Sequence, residues 1–344
     1  MNRYVKDFSG PEVYDYISKY ADLAAPETLV VHTTNLFNIL SHDRPFKSII
    51  NLGKVNDIRY INKFFENINT QLQNGDIFIG RFETFTARRH RKKISKIPVL
   101  RSLYFAMEFI FMRVFPKTPG LKKLYFFVTR GHNRLLSKAE TLGRLVSCGF
   151  TIEDSCSING LSYFVARKTA APVFDMNPSY GLLYRMPRVS KGGKIIKVYK
   201  FRTMHPYAEY LQDYVIRLNG YADSGKPADD FRLTPWGKWM RKYWIDELPQ
   251  IINLLKGDLK LVGVRPISKR YLQEIPEDLQ ALRFLHKPGC IPPYVALNRS
   301  ADVLTVLDAE REYLFDKARD PYTTDIRYFC KALFNIVVRQ KRSA

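Results

Sequence analysis

Trp244-Ile-Asp-Glu-Leu-Pro-Gln-Ile-Ile-Asn-Leu-Leu-Lys-Gly-Asp258 sets two adjacent carboxylates, Asp246 and Glu247, ahead of an apolar helical repeat. Leu248, Ile251, Ile252 and Leu255 recur at helical spacing and Gly257 stands where a helix ends, so the segment reads as a helix with one face in the core. Pro249 suits such a helix only in its first turn, where amide hydrogens lack intrahelical partners, which places the start at about Asp246. Both carboxylates then lie at the positive end of the helix dipole, a place that favours ionised acids and attracts phosphate. A capped helix with acidic first-turn residues fits this stretch equally well when it is taken alone.

The flanking sequence moves the balance. Upstream lie Val198-Tyr-Lys-Phe-Arg-Thr-Met204, Asp230-Phe-Arg-Leu-Thr-Pro-Trp-Gly237 and Arg241; downstream comes Lys260-Leu-Val-Gly-Val-Arg-Pro266. With the Asp-Glu pair, these motifs resemble the bacterial sugar transferase family, the monotopic phosphoglycosyl transferases, over about residues 180–344. The resemblance implies a glycosyl-1-phosphate transferase that initiates polysaccharide or glycoconjugate synthesis. In that family the Asp attacks the β-phosphate of a nucleotide diphosphate sugar, here expected to be a UDP-sugar. The nucleoside monophosphate leaves, and a polyprenyl phosphate or similar lipid phosphate takes the phosphosugar. Carried over, Asp246 is the nucleophile, Glu247 its partner, and Mg²⁺ is bound by the two together. The family also keeps an acid at the position of Asp258, whose part stays open between function and a simple turn cap.

The residue types suit that chemistry on their own terms. Attack by a carboxylate on a diphosphate requires the phosphoryl charge to be neutralised, and a covalent intermediate splits one difficult transfer into two easier ones. Lys200, Arg202, Arg241 and Arg265 are the candidate phosphate-binding cations, the arginines able to grip phosphate in bidentate fashion.

Composition bounds the remaining choices. The chain has 344 residues and a formal charge of +22, room for two domains and a call for anionic partners such as nucleotide sugars, lipid phosphates or an anionic membrane surface. Nucleic acid also fits the charge, but no zinc-finger, RNP or helix-turn-helix signature accompanies it and none is expected as a partner. Cys148, Cys156, Cys290 and Cys330 lack paired metal-site spacing and no signal peptide precedes them, which points to reduced thiols in a cytoplasmic setting. No apolar run reaches transmembrane length. The re-entrant helix of the family is replaced by Lys168-Thr-Ala-Ala-Pro-Val-Phe-Asp-Met-Asn-Pro178, a polar, Pro-broken linker. The stretch Lys287-Pro-Gly-Cys-Ile-Pro-Pro-Tyr294 also departs from the family pattern, which leaves the donor sugar and the acceptor open.

The N-terminal half alternates strands and helices. Ser48–Leu52, Gly75–Gly80 and Leu124–Val128 read as strands, Tyr60–Leu72 as an amphipathic helix, and Ser137 as a helix cap with Glu140 in the capping-box position. Gly149–Glu153 and Leu161–Val165 read as a closing strand pair. This order resembles the later part of a Rossmann-type methyltransferase over about residues 25–168, yet the glycine-rich cofactor loop is missing, so a degenerate, cofactor-free domain is expected. An insertion at about 88–120 carries the basic block Arg88-Arg-His-Arg-Lys-Lys93 and the aromatic segment Leu103–Phe115. Together they read as an interfacial membrane attachment, with a domain-packing helix as the alternative. The C-terminal Ile326–Arg339 stretch repeats the theme.

The expected fold is therefore α/β: a degenerate Rossmann-like domain over 1–169, opening with a helical lead-in to about Glu27, a linker over 170–179, and a mostly helical phosphoglycosyl transferase-like α/β domain over 180–344. The expected location is peripheral, at the cytoplasmic face of the inner membrane. Two alternatives stand beside the main reading: the same chemistry on a non-polyprenyl or soluble acceptor, and a non-catalytic scaffold in a polysaccharide assembly complex.

Overall fold

The computed structural model describes residues 2–42, 44–118, 120–174, 181–220 and 227–341; half of the linker read from the sequence, residues 175–179, lies outside them. Contacts divide the chain into two units, Met1–Tyr180 with His205–Leu218, and Gly181–Met204 with Asn219–Ala344. Both mix helices with strands, and the chain is α/β.

In the first unit β1 (Thr28–Val31), β2 (Ser48–Lys54), β3 (Ile77–Phe82), β4 (Phe150–Ile158) and β5 (Leu161–Lys168) form one sheet, ordered β1-β2-β3-β5-β4. β1, β2 and β3 are parallel, and β5 runs antiparallel to β3 and β4. β2 is an almost unbroken buried run, as expected of a parallel strand covered on both faces. Ile50 and Leu52 pack with Val5, Val13 and Ile17 of the N-terminal helices. Phe78 and Phe164 meet Phe65 of the helix Ile61–Gln71 edge to face. Gly80 lies opposite Phe164, and a Cβ there would come within 2.5 Å of that ring. Asn159 and Gly160, with φ of 50° and 77°, make the two-residue turn between β4 and β5 that positive φ at both positions allows.

Three expectations change here. Leu124–Val128 is not a strand but part of the helix Leu121–Thr129. A five-residue apolar run cannot settle its own period, and the helix buries Tyr125 against Phe111 while Leu124, Phe127 and Val128 stay exposed. Ser137 does cap the helix Lys138–Ser147 by accepting the Glu140 N–H. The Glu140 carboxylate, however, turns to Arg113, Lys117 and Arg144 instead of back to the cap. Half of the basic block pairs with acids of the fold: Arg88 is buried on Glu108 and Glu83, Arg91 pairs with Glu83, and Lys92 reaches Glu108, while Arg89, His90 and Lys93 are exposed. Residues 205–218 also belong to this unit. The Tyr207 hydroxyl accepts from Asn62 Nδ2 at 2.6 Å, its ring lies under the Arg144 guanidinium, and Gly143 leaves room for its carbonyl.

In the second unit β6 (Leu183–Val189) and β7 (Ile195–Phe201) form an antiparallel hairpin, and β8 (Lys260–Val262) and β9 (Gly289–Ile291) a short parallel pair. The core gathers Val262 and Val264 with Tyr313 from the helix Val303–Arg319 and Tyr328 and Ala332 from Thr324–Val337. Among the described residues, no helix is long and apolar enough to cross a membrane.

Candidate active site

The Asp-Glu pair begins where expected, but in a tighter helix. Ile245–Gln250 is a 3₁₀ segment holding Pro249, followed by the α-turn Ile251–Leu255. Trp244 enters it with φ 62°, a left-handed conformation that costs a non-glycine residue about 1–2 kcal/mol and turns the chain sharply at the carboxylates. Gly257, φ 69°, ends the helix.

The apolar stripe read as core faces outward. Leu248, Ile251 and Leu255 are 62%, 61% and 86% exposed. The side turned inward carries Asn253, which has no accessible surface. Its Oδ1 accepts the Tyr199 N–H at 2.9 Å, and its Nδ2 donates to Lys197 O at 2.8 Å. Pro187, paired opposite Lys197, has no N–H to offer. The inward position therefore went to the side chain that can satisfy strand backbone.

This staple holds β7 beside the pair. Lys200 Nζ stands 2.6 Å from Glu247 Oε1, and Gln250 Nε2 donates to Glu247 Oε2 at 3.0 Å. Asp246 is buried at 8% exposure. Burial raises its pKa above the usual carboxylate range, Lys200 and Arg241 oppose the shift, and Glu247 adds to it. Arg241 donates from Nε to Thr203 Oγ1 at 2.9 Å. Thr203 is itself fixed because its carbonyl accepts from both the N–H and the hydroxyl of Thr234, the cap of the helix Pro235–Lys242.

A cavity of about 410 Å³ adjoins Glu247, Lys200 and Arg265. Asp246, Arg241, Arg202 and Asp258 do not line it. Arg202 donates to Gly181 O and covers the Tyr184 ring. Asp258 closes the turn after the helix, its backbone N–H donating to Asn253 O and its carboxylate accepting from Asn253 Nδ2. The structure thus gathers Asp246, Glu247, Lys200 and Arg241, adds Arg265 across the cavity, and leaves Arg202 and Asp258 to neighbouring backbone and rings.

Several residues here carried no local signal. Arg283 and Glu310, both buried, form an ion pair from two different helices. Glu310 Oε1 accepts the Arg265 N–H and Arg283 donates to the Arg265 carbonyl, so the pair clamps the backbone that presents Arg265. Two buried polar atoms in cavity-lining residues, Trp244 Nε1 and Gln250 Oε1, have no protein partner, as expected where a polar ligand supplies one.

Among the described residues, no three His, Cys, Asp or Glu side chains gather at one point. Mg²⁺ does not require that, because it binds through one or two carboxylates and completes its octahedron with water and substrate phosphates. Asp246 and Glu247, beside the unpartnered Gln250 Oε1, fit that donor set.

Residues 160–338 match the family model described as bacterial sugar transferase. The galactosyl transferase CpsE of Streptococcus agalactiae serotype III (strain NEM316) is 39% identical over 108 residues, 31% of this chain and 24% of that protein. The undecaprenyl-phosphate galactose phosphotransferase of Salmonella typhimurium is 37% identical over 112 residues, 31% of this chain and 23% of its own. The UDP-glucose:undecaprenyl-phosphate glucose-1-phosphate transferase of Caulobacter vibrioides is 36% identical over 111 residues, 31% of this chain and 37% of its own. The chain thus spans about a quarter to a third of the length of these relatives. A solved O-methyltransferase family protein from Burkholderia thailandensis aligns at a TM-score of 0.23 and 10% identity, over 46% of this chain and 39% of its own, too slight a likeness to bear on the fold.

Proposed function

The chain belongs to the bacterial sugar transferase family, and we propose that it is a phosphoglycosyl transferase moving a phosphosugar from a UDP-sugar to a polyprenyl phosphate through a covalent intermediate on Asp246. The observation that carries this reading is the arrangement of Asp246 and Glu247 between Lys200 and Arg241 on the matched segment. An Asp246 carboxylate oxygen attacks the β-phosphorus of the donor; the bond from that phosphorus to the bridging oxygen breaks, and UMP leaves with the oxygen. A phosphate oxygen of the lipid then attacks the same phosphorus and displaces the carboxylate, forming the lipid diphosphate sugar. Lys200 and Arg265 face the cavity where diphosphate charge would lie, and the charge of Arg241 favours the ionised nucleophile. Mg²⁺ held by Asp246 and Glu247 would supply further charge neutralisation as a Lewis acid. Arg202 and Asp258 act by holding the loops around the site.

The exposed Leu248, Ile251 and Leu255 favour a lipid over a soluble acceptor. The reaction would then run at the cytoplasmic face of the inner membrane, with the chain attached peripherally. The test is UMP release from a panel of UDP-sugars, with intact-mass detection of the adduct formed when donor is given without acceptor. Asp246→Asn should abolish both, since an amide is a poor nucleophile. Near-normal UMP release by Asp246→Asn would sink the covalent route.

A further inference from the structure

The first unit builds a second cavity, larger than the one beside the Asp-Glu pair, at about 1490 Å³, with nine lysines and arginines against two carboxylates in its lining. Three of these cations converge on one buried acid: Lys117 at 2.8 Å, Arg144 at 2.9 Å and Arg113 at 3.1 Å from Glu140. Arg113 also donates to Leu135 O and Arg144 to Asn62 Oδ1; across the lining as a whole, the basic side chains outnumber the acids in a site of reduced dielectric. Burial pulls the Lys117 ammonium down to about 7, with Glu140 opposing the shift and Arg113 adding to it. The rest of the charge is on Arg59, Lys63, Lys122, Lys123, Arg130 and Arg134, and the guanidinium groups of Arg59 and Arg134 cover the ring of Phe126 at 5.4 and 5.0 Å. Guanidinium forks and ammonium groups in this number match phosphate.

Two segments that line this cavity, the π-helical turn Ile110–Val114 and the helix Leu121–Thr129, belong to a longer apolar face. Leu100, Leu103, Met107, Ile110 and Val114 recur at spacings of three and four along Pro98–Phe109 and the π-helical turn that continues it, and all are exposed. Leu121, Leu124, Phe127 and Val128 of the next helix are exposed too. Phe127, 84% exposed, belongs to both features, since it lines the cavity beside Lys122 and Lys123. An apolar stripe bordered by phosphate-binding cations is the pattern of a helix lying in a bilayer interface. A second copy of the chain would bring the same cations against these and be repelled.

We infer that the first unit docks on an anionic phospholipid bilayer through the apolar face of residues 100–128, with lipid phosphate headgroups received in the Arg113–Lys117–Arg144 cavity. This inference stands apart from the transferase reading, because these residues lie outside the matched segment 160–338 and vesicle binding is read without turnover.

The test is co-sedimentation of the whole chain with phosphatidylcholine vesicles, with and without phosphatidylglycerol. The parent should bind the anionic vesicles far more tightly, and less so as salt is raised. Lys122→Gln with Lys123→Gln should lower that affinity about 25-fold, taking about fivefold per cation near the surface. Leu103→Ser with Met107→Ser should remove binding to vesicles, and because all four side chains are exposed, an unchanged thermal midpoint should accompany both variants. Equal binding to neutral and anionic vesicles, or an unaltered affinity of the lysine variant, would overturn the inference. So would full competition by soluble glycerol phosphate at matched phosphate concentration, which would make the cavity a site for free ligands. A self-association that Leu103→Ser disperses, without vesicle binding by the parent, would assign the face to a second copy instead.

Discussion

Asn253→Asp alters one side-chain group and probes whether the helix after the Asp-Glu pair holds β7, and with it Lys200, in place. The parent side chain is fully buried, accepting from Tyr199 N–H at 2.9 Å and donating to Lys197 O at 2.8 Å and to Asp258 Oδ2 at 3.3 Å. The variant keeps an oxygen toward Tyr199 but sets a second oxygen against a carbonyl and a carboxylate. Leaving the Lys197 carbonyl unsatisfied costs about 1–3 kcal/mol, and an ionised carboxylate buried without a cation brings the loss to about 3–5 kcal/mol. When protonated, the new acid can donate to Lys197 O again. Its folded-state pKa is therefore raised above the unfolded value, so the variant is closest to the parent at acid pH and falls behind as pH rises, by up to about 1.4 kcal/mol per unit. Urea unfolding of both proteins at about pH 5 and about pH 8 measures the loss and its slope, and UMP release at the higher pH should fall with Lys200 displaced. Unfolding curves that superimpose at both pH values, with unchanged turnover, would refute the staple.

Four further outcomes follow from the geometry. Because burial raises Asp246 and a nucleophile must be ionised, the acid limb of the kcat/KM profile should lie above the ordinary Asp range; a limb at that ordinary range would remove burial as its cause. Burial, reinforced by Arg113, lowers His205 to about 3, so its contribution to stability is complete above about pH 6.5 and is lost as pH falls toward 3. The unfolding free energy of the parent, from urea titrations, should then drop by up to about 1.4 kcal/mol per pH unit below pH 6.5, and His205→Gln should flatten that slope. Gly237→Ala places a Cβ 2.1 Å from Thr203 O and should cost about 1–3 kcal/mol while loosening the threonine that holds Arg241, seen as a lower thermal midpoint together with slower turnover. Calorimetry with S-adenosylmethionine should show no binding heat, since Asn51-Leu-Gly-Lys54 has no glycine-rich loop through which the backbone could approach a cofactor; a micromolar dissociation constant would reverse the degenerate reading.

The sequence by itself determined the features that depend on neighbours along the chain. The Asp246-Glu247 pair at the start of a helix, the stop at Gly257, the Ser137 cap and the buried strand at Ser48 were all legible, because capping, glycine conformations and period-two or period-3.6 burial are local physics. Periodicity states which residues share a face and is silent on which way the face points. Leu248, Ile251 and Leu255 share one as read, yet they face outward because Asn253, on the other side, can satisfy the backbone of β7. Leu124–Val128 became helix because Tyr125 found Phe111 to pack against, a partner 14 residues upstream. Charge likewise has no address until its partner is placed. Arg88 and Lys92 are committed to Glu108, Glu140 gathers Arg113, Lys117 and Arg144, and the Arg283–Glu310 clamp on Arg265 joins two helices and a loop. Ion pairs and buried hydrogen bonds depend on distance through space, and only the tertiary structure sets that distance.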